Sequence, residues 1–96
     1  MEKSTIVNSI KLEIRKNSSS SPLPYSSWTI GVTDDPSARK SQHERDGHSI
    51  EHWMVWNADS EQDAREIERH FIILGMKGHP GGQGTADYVY IFKTTS

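Results

Sequence analysis

The chain has 96 residues, of which 32% are apolar and 25% charged, so a single small domain with a modest core is expected. The formal net charge of -2 counts against strong, sequence-independent binding of nucleic acid, but it allows a local basic patch around Arg15, Lys16, Arg39 and Lys40. The absence of cysteine excludes disulfides and cysteine-based metal sites. No signal-peptide pattern or apolar run of membrane-spanning length is found, so we expect a cytoplasmic protein without a membrane partner.

Residues 4–16 carry apolar side chains at helical spacing, namely Ile6, Val7, Ile10 and Ile14. This spacing predicts an N-terminal helix with Ser4 as its cap and with basic residues near its end. Leu12 alternates with Ile10 and Ile14 as it would in a strand, but we favour the helix.

A serine- and proline-rich linker at 17–27 then separates the N-terminal helix at 1–16 from a core at 28–96. Strands are predicted within the core at 28–33, 50–57 and 88–93, where β-branched and aromatic residues concentrate. Helices are predicted between the strands. The expected order is α-β-α-β-α-β, which describes an α+β fold with a small three-stranded sheet flanked by helices.

Capping residues set the expected helix ends. Asp34 or Asp35 caps the first helix of the core, Pro36 occupies its first position, and Asp46-Gly47 ends it after Glu44 or Arg45. Asp59 or Ser60 caps a longer helix that reaches Leu74 and ends at Gly75. Residues 75–84 are then expected to form a glycine-rich loop.

The segment from Thr29 to His43 is the most informative part of the chain. A short strand ends at Gly31, and the capped helix that follows carries Arg39 and His43 four residues apart, on one face. A guanidinium suits a phosphate group, and an imidazole can donate or accept a proton. Arg and His at this spacing are also common on solvated helix faces, but the whole string after a strand favours a functional site.

Glu68 is the second candidate, because it falls inside the apolar stripe of the later helix. The stripe is formed by Ala64, Ile67, Phe71, Leu74 and Gly75. A carboxylate on such a face is costly unless it is paired or binds a metal ion. The alternatives are a glutamate at the edge of the stripe that reaches water, or a salt bridge to Arg39 without catalysis.

Thr29-Ile30-Gly31 followed by the helix with Arg39 resembles the second half of the GIY-YIG nuclease motif. In that family a strand ending in Tyr-Ile-Gly leads into a helix that presents a catalytic arginine. Glu68-Arg69-His70-Phe71-Ile72 is similar to the family's metal-binding glutamate and the apolar pair behind it. The resemblance spans roughly residues 28–74. It implies phosphodiester hydrolysis of nucleic acid with one Mg²⁺ or Mn²⁺ held by Glu68. Arg39 would stabilise phosphate charge, and His43 would assist proton transfer or phosphate placement.

The chain departs from the family pattern in its tyrosines. Thr29 replaces the tyrosine of the second motif, and the first motif, Gly-Ile-Tyr, is missing upstream. The C-terminal segment Tyr88-Val89-Tyr90-Ile91-Phe92-Lys93 looks like that first strand, with Tyr90 at the tyrosine position. We therefore consider a circular permutation in which Tyr90 helps to activate water. The alternative is an ordinary strand whose two tyrosines only pack on their neighbours.

Three functions are compatible with these patterns. The first is a metal-dependent nuclease with Arg39, His43, Glu68 and Tyr90 in its site. The second is a non-catalytic module of similar fold that binds nucleic acid or a protein partner. The third is a structural domain in which Arg39 and Glu68 form only a salt bridge.

Overall fold

Helices and strands alternate along the chain in a computed structural model that describes residues 1–18, 24–47, 50–79 and 86–94. Within these residues the elements are α1 (Lys3–Lys16), β1 (Trp28–Thr33), α2 (Pro36–Arg45), β2 (Ile50–Asn57), α3 (Glu61–Ile73), β3 (Lys77–His79) and β4 (Tyr88–Thr94). A short 3₁₀ turn at Tyr25–Ser27 precedes β1. None of the helices in these ranges has the length and apolar character needed to cross a membrane.

The strands form one mixed sheet in the order β2-β4-β1-β3. The C-terminal strand β4 lies in the middle and pairs antiparallel with both β1 and β2, whereas β1 and β3 are parallel. The register places Gly31 of β1 and Val55 of β2 on either side of Tyr90. Residues from the two ends of the core sequence therefore meet at the centre of the sheet.

An irregularity in β2 decides which residues of that strand face which side. The pairing with β4 shifts by one residue between Glu51 and Met54, and His52 lies there with a φ of 55°. An extra residue on one strand is a β-bulge, which reverses the face of every residue beyond it. As a result Trp53 stacks on Tyr90, with ring centroids 4.8 Å apart.

The hydrophobic core lies between one face of the sheet and the helices α1 and α3. The sheet contributes the alternating residues Trp28, Ile30, Val32, Val89 and Ile91. The helices contribute Ile6, Ile10, Ile14, Ala64, Ile67 and Phe71. Each isoleucine or phenylalanine buried in this way contributes roughly 1.5–3 kcal/mol by removal of apolar surface from water. The opposite sheet face carries Tyr90 and Phe92 and is covered by α2 through His43.

Most of the predicted elements are confirmed. Residues 4–16 are helical, the strands at 28–33, 50–57 and 88–93 lie where expected, and the fold is α+β. Of the two cap residues predicted for each core helix, Asp35 caps α2 and Ser60 caps α3. Gly47 and Gly75 follow the helix ends with positive φ values of 88° and 120°.

Three expectations were wrong. The sheet has a fourth strand, β3, which lies inside the segment predicted as a glycine-rich loop and exists because its backbone pairs with β1. Helix α1 begins at Lys3 with Glu2 before it, so Ser4 lies within the helix and is not its cap. Leu74 is 40% exposed, because α3 ends before its side chain can turn toward the sheet. Of the predicted linker and loop, residues 19–23 and 80–84 lie outside the described ranges.

Candidate functional site

The junction between β1 and α2 sets the position of the first site residues. The side chain of Asp35 accepts a hydrogen bond of 3.1 Å from the backbone N–H of Ala38, and Pro36 occupies the first turn. The backbone N–H of Asp35 donates in turn to the hydroxyl of Thr33 over 3.1 Å. These local bonds start the helix directly after the strand. They place the Arg39 turn beside the end of β1.

Helix α2 is unusual because it is polar on every side and buries only His43. Its attachment therefore depends on specific contacts more than on an apolar stripe. The imidazole of His43 is 2% exposed and lies against the rings of Tyr90 and Phe92, at centroid distances of 5.6 and 4.8 Å. Nε2 of His43 and the hydroxyl of Tyr90 share a buried hydrogen bond of 2.9 Å.

Tyr90 lies at the centre of this site and is completely buried. Its ring extends across Gly31, and a Cβ atom at that glycine would lie 2.5 Å from Cζ and 2.9 Å from Cε2 of the ring. The structure shows that the group approaching Gly31 is the phenol of Tyr90.

Arg39 lies beside the same hydroxyl and is partly buried. Its Nη1 donates a hydrogen bond of 2.9 Å to the side-chain oxygen of Gln42. Its Nε is buried and has no hydrogen-bond partner among the residues that the structure describes. A buried guanidinium N–H without an acceptor is energetically costly.

Glu68 of α3 contributes the carboxylate of the site. Its Oε2 is buried and accepts no hydrogen bond from the described part of the chain. Burial raises the pKa of Glu68 above the usual glutamate range, whereas the positive charges of Arg65 and Arg39 act in the opposite direction. Within the described ranges neither Glu68 nor Arg39 forms an ion pair, so the two do not make the simple salt bridge considered above.

The pKa of the Tyr90 phenol depends on both charged groups, Arg39 and Glu68. Burial raises its pKa, the hydrogen-bonding capacity and charge of Arg39 lower it, and the Glu68 carboxylate raises it further. Since the net change is upward, Tyr90 is a neutral phenol at neutral pH. The structure thus relates three of the predicted residues to Tyr90 of β4. His43 of α2 shares a hydrogen bond with its hydroxyl, and the charges of Arg39 of α2 and Glu68 of α3 act on its pKa.

The donor set is compatible with a hard divalent cation. No three His, Asp or Glu side chains converge anywhere in the described residues, so a cage built from protein ligands alone is not seen there. Mg²⁺ is usually bound by one or two carboxylates, with substrate phosphates and water completing its shell. The unpartnered Oε2 of Glu68 is an acceptor of the required type.

Some features of the site were missed in the sequence. Trp53 was not among the predicted site residues, but it stacks on Tyr90 because of the bulge at His52, which has no sequence signature. A pocket of about 380 Å³ also opens along α2, where Arg39, Gln42 and Arg45 contribute to its wall. These three recur every third residue, and that spacing could have identified them as one side of the helix.

No protein-family model, curated protein or solved structure matches this chain.

Proposed function

We propose that this protein is a divalent-metal-dependent phosphodiesterase that hydrolyses nucleic acid, with a degenerate, circularly permuted GIY-YIG-like arrangement. The observation that carries the proposal is the proximity of Arg39, Glu68 and Tyr90, which come from three separate elements. The charge of Arg39 acts to lower the pKa of both Glu68 and Tyr90, and the Glu68 carboxylate acts to raise that of Tyr90. Two of them also hold buried polar atoms without partners among the described residues. Clusters of this kind are more typical of functional sites than of structural ones.

The order of the strands supports the permutation. The strand β4, which carries Tyr90, pairs directly with β1, which contains Gly31. The two segments that resemble the halves of the family motif are widely separated in the sequence and lie on paired strands, which is the neighbourhood that the permutation requires. Under this hypothesis β4 takes the place of the first-motif strand, while α1 and the serine-rich linker are additions.

Arg39 is the proposed phosphate-binding group. Arg39 contributes to the wall of the pocket along α2 and also acts on the pKa of the Tyr90 hydroxyl, so we expect it to contact an anion bound between the two. A fixed positive charge next to the scissile phosphate stabilises the charge that develops on the phosphate oxygens. Removing such a contact typically reduces the rate by a factor of about 10²–10³.

Glu68 is the proposed ligand of Mg²⁺ or Mn²⁺. Bound metal would polarise a phosphate oxygen and lower the pKa of a coordinated water. Burial disfavours the free carboxylate, so a cation at Oε2 would relieve an existing cost.

His43 and Tyr90 provide a proton route in this proposal. The phenol can donate its proton to Nε2 of a neutral His43 over the 2.9 Å bond while its oxygen accepts a proton from water. Arg39 stabilises the transient negative charge on the phenol oxygen. Tyr90→Phe removes this route and leaves the imidazole in place.

The test is a cleavage assay with supercoiled plasmid and with single-stranded DNA and RNA, in Mg²⁺ or Mn²⁺. We expect metal-dependent cleavage by the wild type and its loss in Glu68→Gln, Arg39→Gln and Tyr90→Phe. Lys77→Gln, at an exposed cation of β3 with the same change in charge, is the matched control and should keep full activity. Absence of cleavage by folded wild-type protein would refute the catalytic proposal.

Metal binding can be measured without turnover. Mn²⁺ or Mg²⁺ should raise the melting temperature of the wild type, because a ligand that binds only the folded state stabilises it. The same titration of Glu68→Gln should give no shift. An equal shift in both proteins would remove Glu68 as the metal ligand.

A second candidate is a non-catalytic module that binds nucleic acid or a protein partner. The observation in its favour is that the Tyr90 hydroxyl is fully buried beneath His43 and beside Trp53, away from bulk water. Binding of a single-stranded oligonucleotide that is weakened by Arg39→Gln, with no cleavage under any metal condition, would favour this candidate.

A further inference from the structure

The pocket along α2 extends beyond the group of residues used in the proposed function. Its volume is about 380 Å³, within the size range that accommodates small organic ligands. The wall consists of the residues around the β1–α2 turn and one side of the helix, namely Thr33, Asp34, Asp35, Ala38, Arg39, Gln42 and Arg45. Neither Glu68 nor Tyr90 belongs to this wall.

One side of the pocket suits phosphate. Arg39 and Arg45 both contribute to it, and Gln42 between them accepts a hydrogen bond from Arg39 that orients the guanidinium. Arg45 is exposed and has no hydrogen-bond or ion-pair partner among the described residues. Arg45 is therefore free to bind the phosphate that neighbours, along a strand, the phosphate bound by Arg39.

The other side of the pocket carries a free acceptor. Asp35 is occupied as the helix cap, and its neighbour Thr33 accepts from the Asp35 backbone. Asp34 is exposed, and no residue in the described ranges donates a hydrogen bond to its carboxylate. The carboxylate of Asp34 would repel a phosphate placed next to it. A pocket that binds only anions therefore does not explain its presence.

We infer that this pocket receives one nucleotide of a single-stranded segment, with its phosphates at Arg39 and Arg45 and its base at Asp34. A carboxylate reads N–H donors on a base edge. Guanine offers two adjacent N–H donors on its Watson–Crick edge, and the other bases offer one position each, so guanine is the preferred base. That edge is free only in a single strand. The inference shares its ligand class with the proposed function and rests on it to that extent.

The experiment is a fluorescence-anisotropy titration in EDTA, which separates binding from any metal-dependent cleavage. The probes are a labelled thymine oligonucleotide and the same strand with one guanine. We expect wild type to bind the guanine strand about 5-fold more tightly or better. Asp34→Ala should abolish this difference, whereas Glu44→Ala, which removes one negative charge from α2 outside the pocket wall, should retain it.

Arg45 is tested by the salt dependence of the same binding. Arg45→Gln should weaken both strands equally and reduce the slope of log K against log salt by about 1, as expected for one lost phosphate contact. Lys77→Gln provides the same loss of charge on β3, outside the pocket wall, and should leave the slope unchanged. Both results together are required for the inference.

The outcomes separate this inference from the proposed function. No binding in EDTA, no preference for guanine, a preference that survives Asp34→Ala, or equal effects of Arg45→Gln and Lys77→Gln would each overturn it. Cleavage by wild type alongside any of those results would leave the nuclease proposal intact. Binding with the expected preference but without cleavage would retain the inference and favour the non-catalytic module.

Discussion

The close approach of Tyr90 to Gly31 makes a sharp prediction for Gly31→Ala. The new Cβ would lie 2.5 Å from Cζ and would overlap the hydroxyl, so the phenol has to move. It has little room, because Trp53 stacks at 4.8 Å and His43 holds the hydroxyl at 2.9 Å. Overpacking of this kind costs about 1–3 kcal/mol, and loss of the hydrogen bond adds about 1 kcal/mol.

A small gain offsets part of this cost. Alanine restricts the unfolded chain more than glycine does, which stabilises the fold by about 0.4–1 kcal/mol where the backbone tolerates it. The net loss for Gly31→Ala is therefore about 2 kcal/mol. With an m value near 1–2 kcal/mol/M, the urea midpoint should fall by about 1–2 M. Tryptophan fluorescence reports the transition directly, because Trp53 contacts the displaced ring.

Gly78→Ala is the matched control for this substitution. Gly78 also lies in a strand that pairs with a neighbour, and a Cβ there would also meet a side chain, with Cγ1 of Ile72 at 3.0 Å. Ile72 is 41% exposed, so it can turn away into solvent. We expect a change below about 0.5 kcal/mol. The contrast between the two glycines isolates the rigidity of the partner side chain.

A double-mutant cycle identifies Tyr90 as the cause. In the background Tyr90→Leu, which lacks a ring across the sheet, Gly31→Ala should lose most of its penalty, and the coupling energy should exceed about 1 kcal/mol. An equal cost of Gly31→Ala in both backgrounds would refute the steric explanation. So would an equal cost of Gly31→Ala and Gly78→Ala.

Three further predictions concern the same site. Tyr90→Phe should destabilise the fold by about 1–3 kcal/mol in urea titrations, because the buried Nε2 of His43 loses its partner; an unchanged midpoint would contradict that bond. Glu68→Gln should be more stable than wild type at neutral pH but not at low pH. The folded-state pKa of Glu68 is raised, so wild-type stability is complete below the usual glutamate pKa and falls as the pH rises through the folded value. Urea midpoints from acid to neutral pH test this, and a constant difference between the two proteins would count against it. Asp35→Ala should cost about 1 kcal/mol through loss of the cap to Ala38, and Asp35→Asn should retain most of the stability.

Local sequence signals account for most of the helix and strand boundaries. Asp35 and Pro36 define the start of α2 because the cap and the fixed proline φ act within one turn. Gly47 and Gly75 mark helix ends because each adopts a positive φ that other residues resist. The apolar spacing in α1 decided in favour of a helix over the strand alternative. These features depend on residues a few positions apart.

Other features have no local signal. The strand β3 is three residues long and contains a glycine, and only its pairing with β1 makes it a strand. The bulge at His52 is invisible in the order of residues, yet it places Trp53 on the side of Tyr90. A one-residue shift reverses the exposed and buried faces of a strand, so a sequence pattern cannot supply it.

The sequence by itself determined the three helices and three of the four strands described, the caps of α2 and α3, and the choice of four candidate side chains, since these depend on residue type and short-range spacing. Only the tertiary structure decided that β4 inserts between β1 and β2, because pairing between distant strands depends on packing across the whole sheet. That insertion places the phenol of Tyr90 over Gly31 and against His43, with Arg39 and Glu68 in range. The candidate residues could be predicted from residue type and spacing, whereas their proximity in the fold depends on long-range strand pairing.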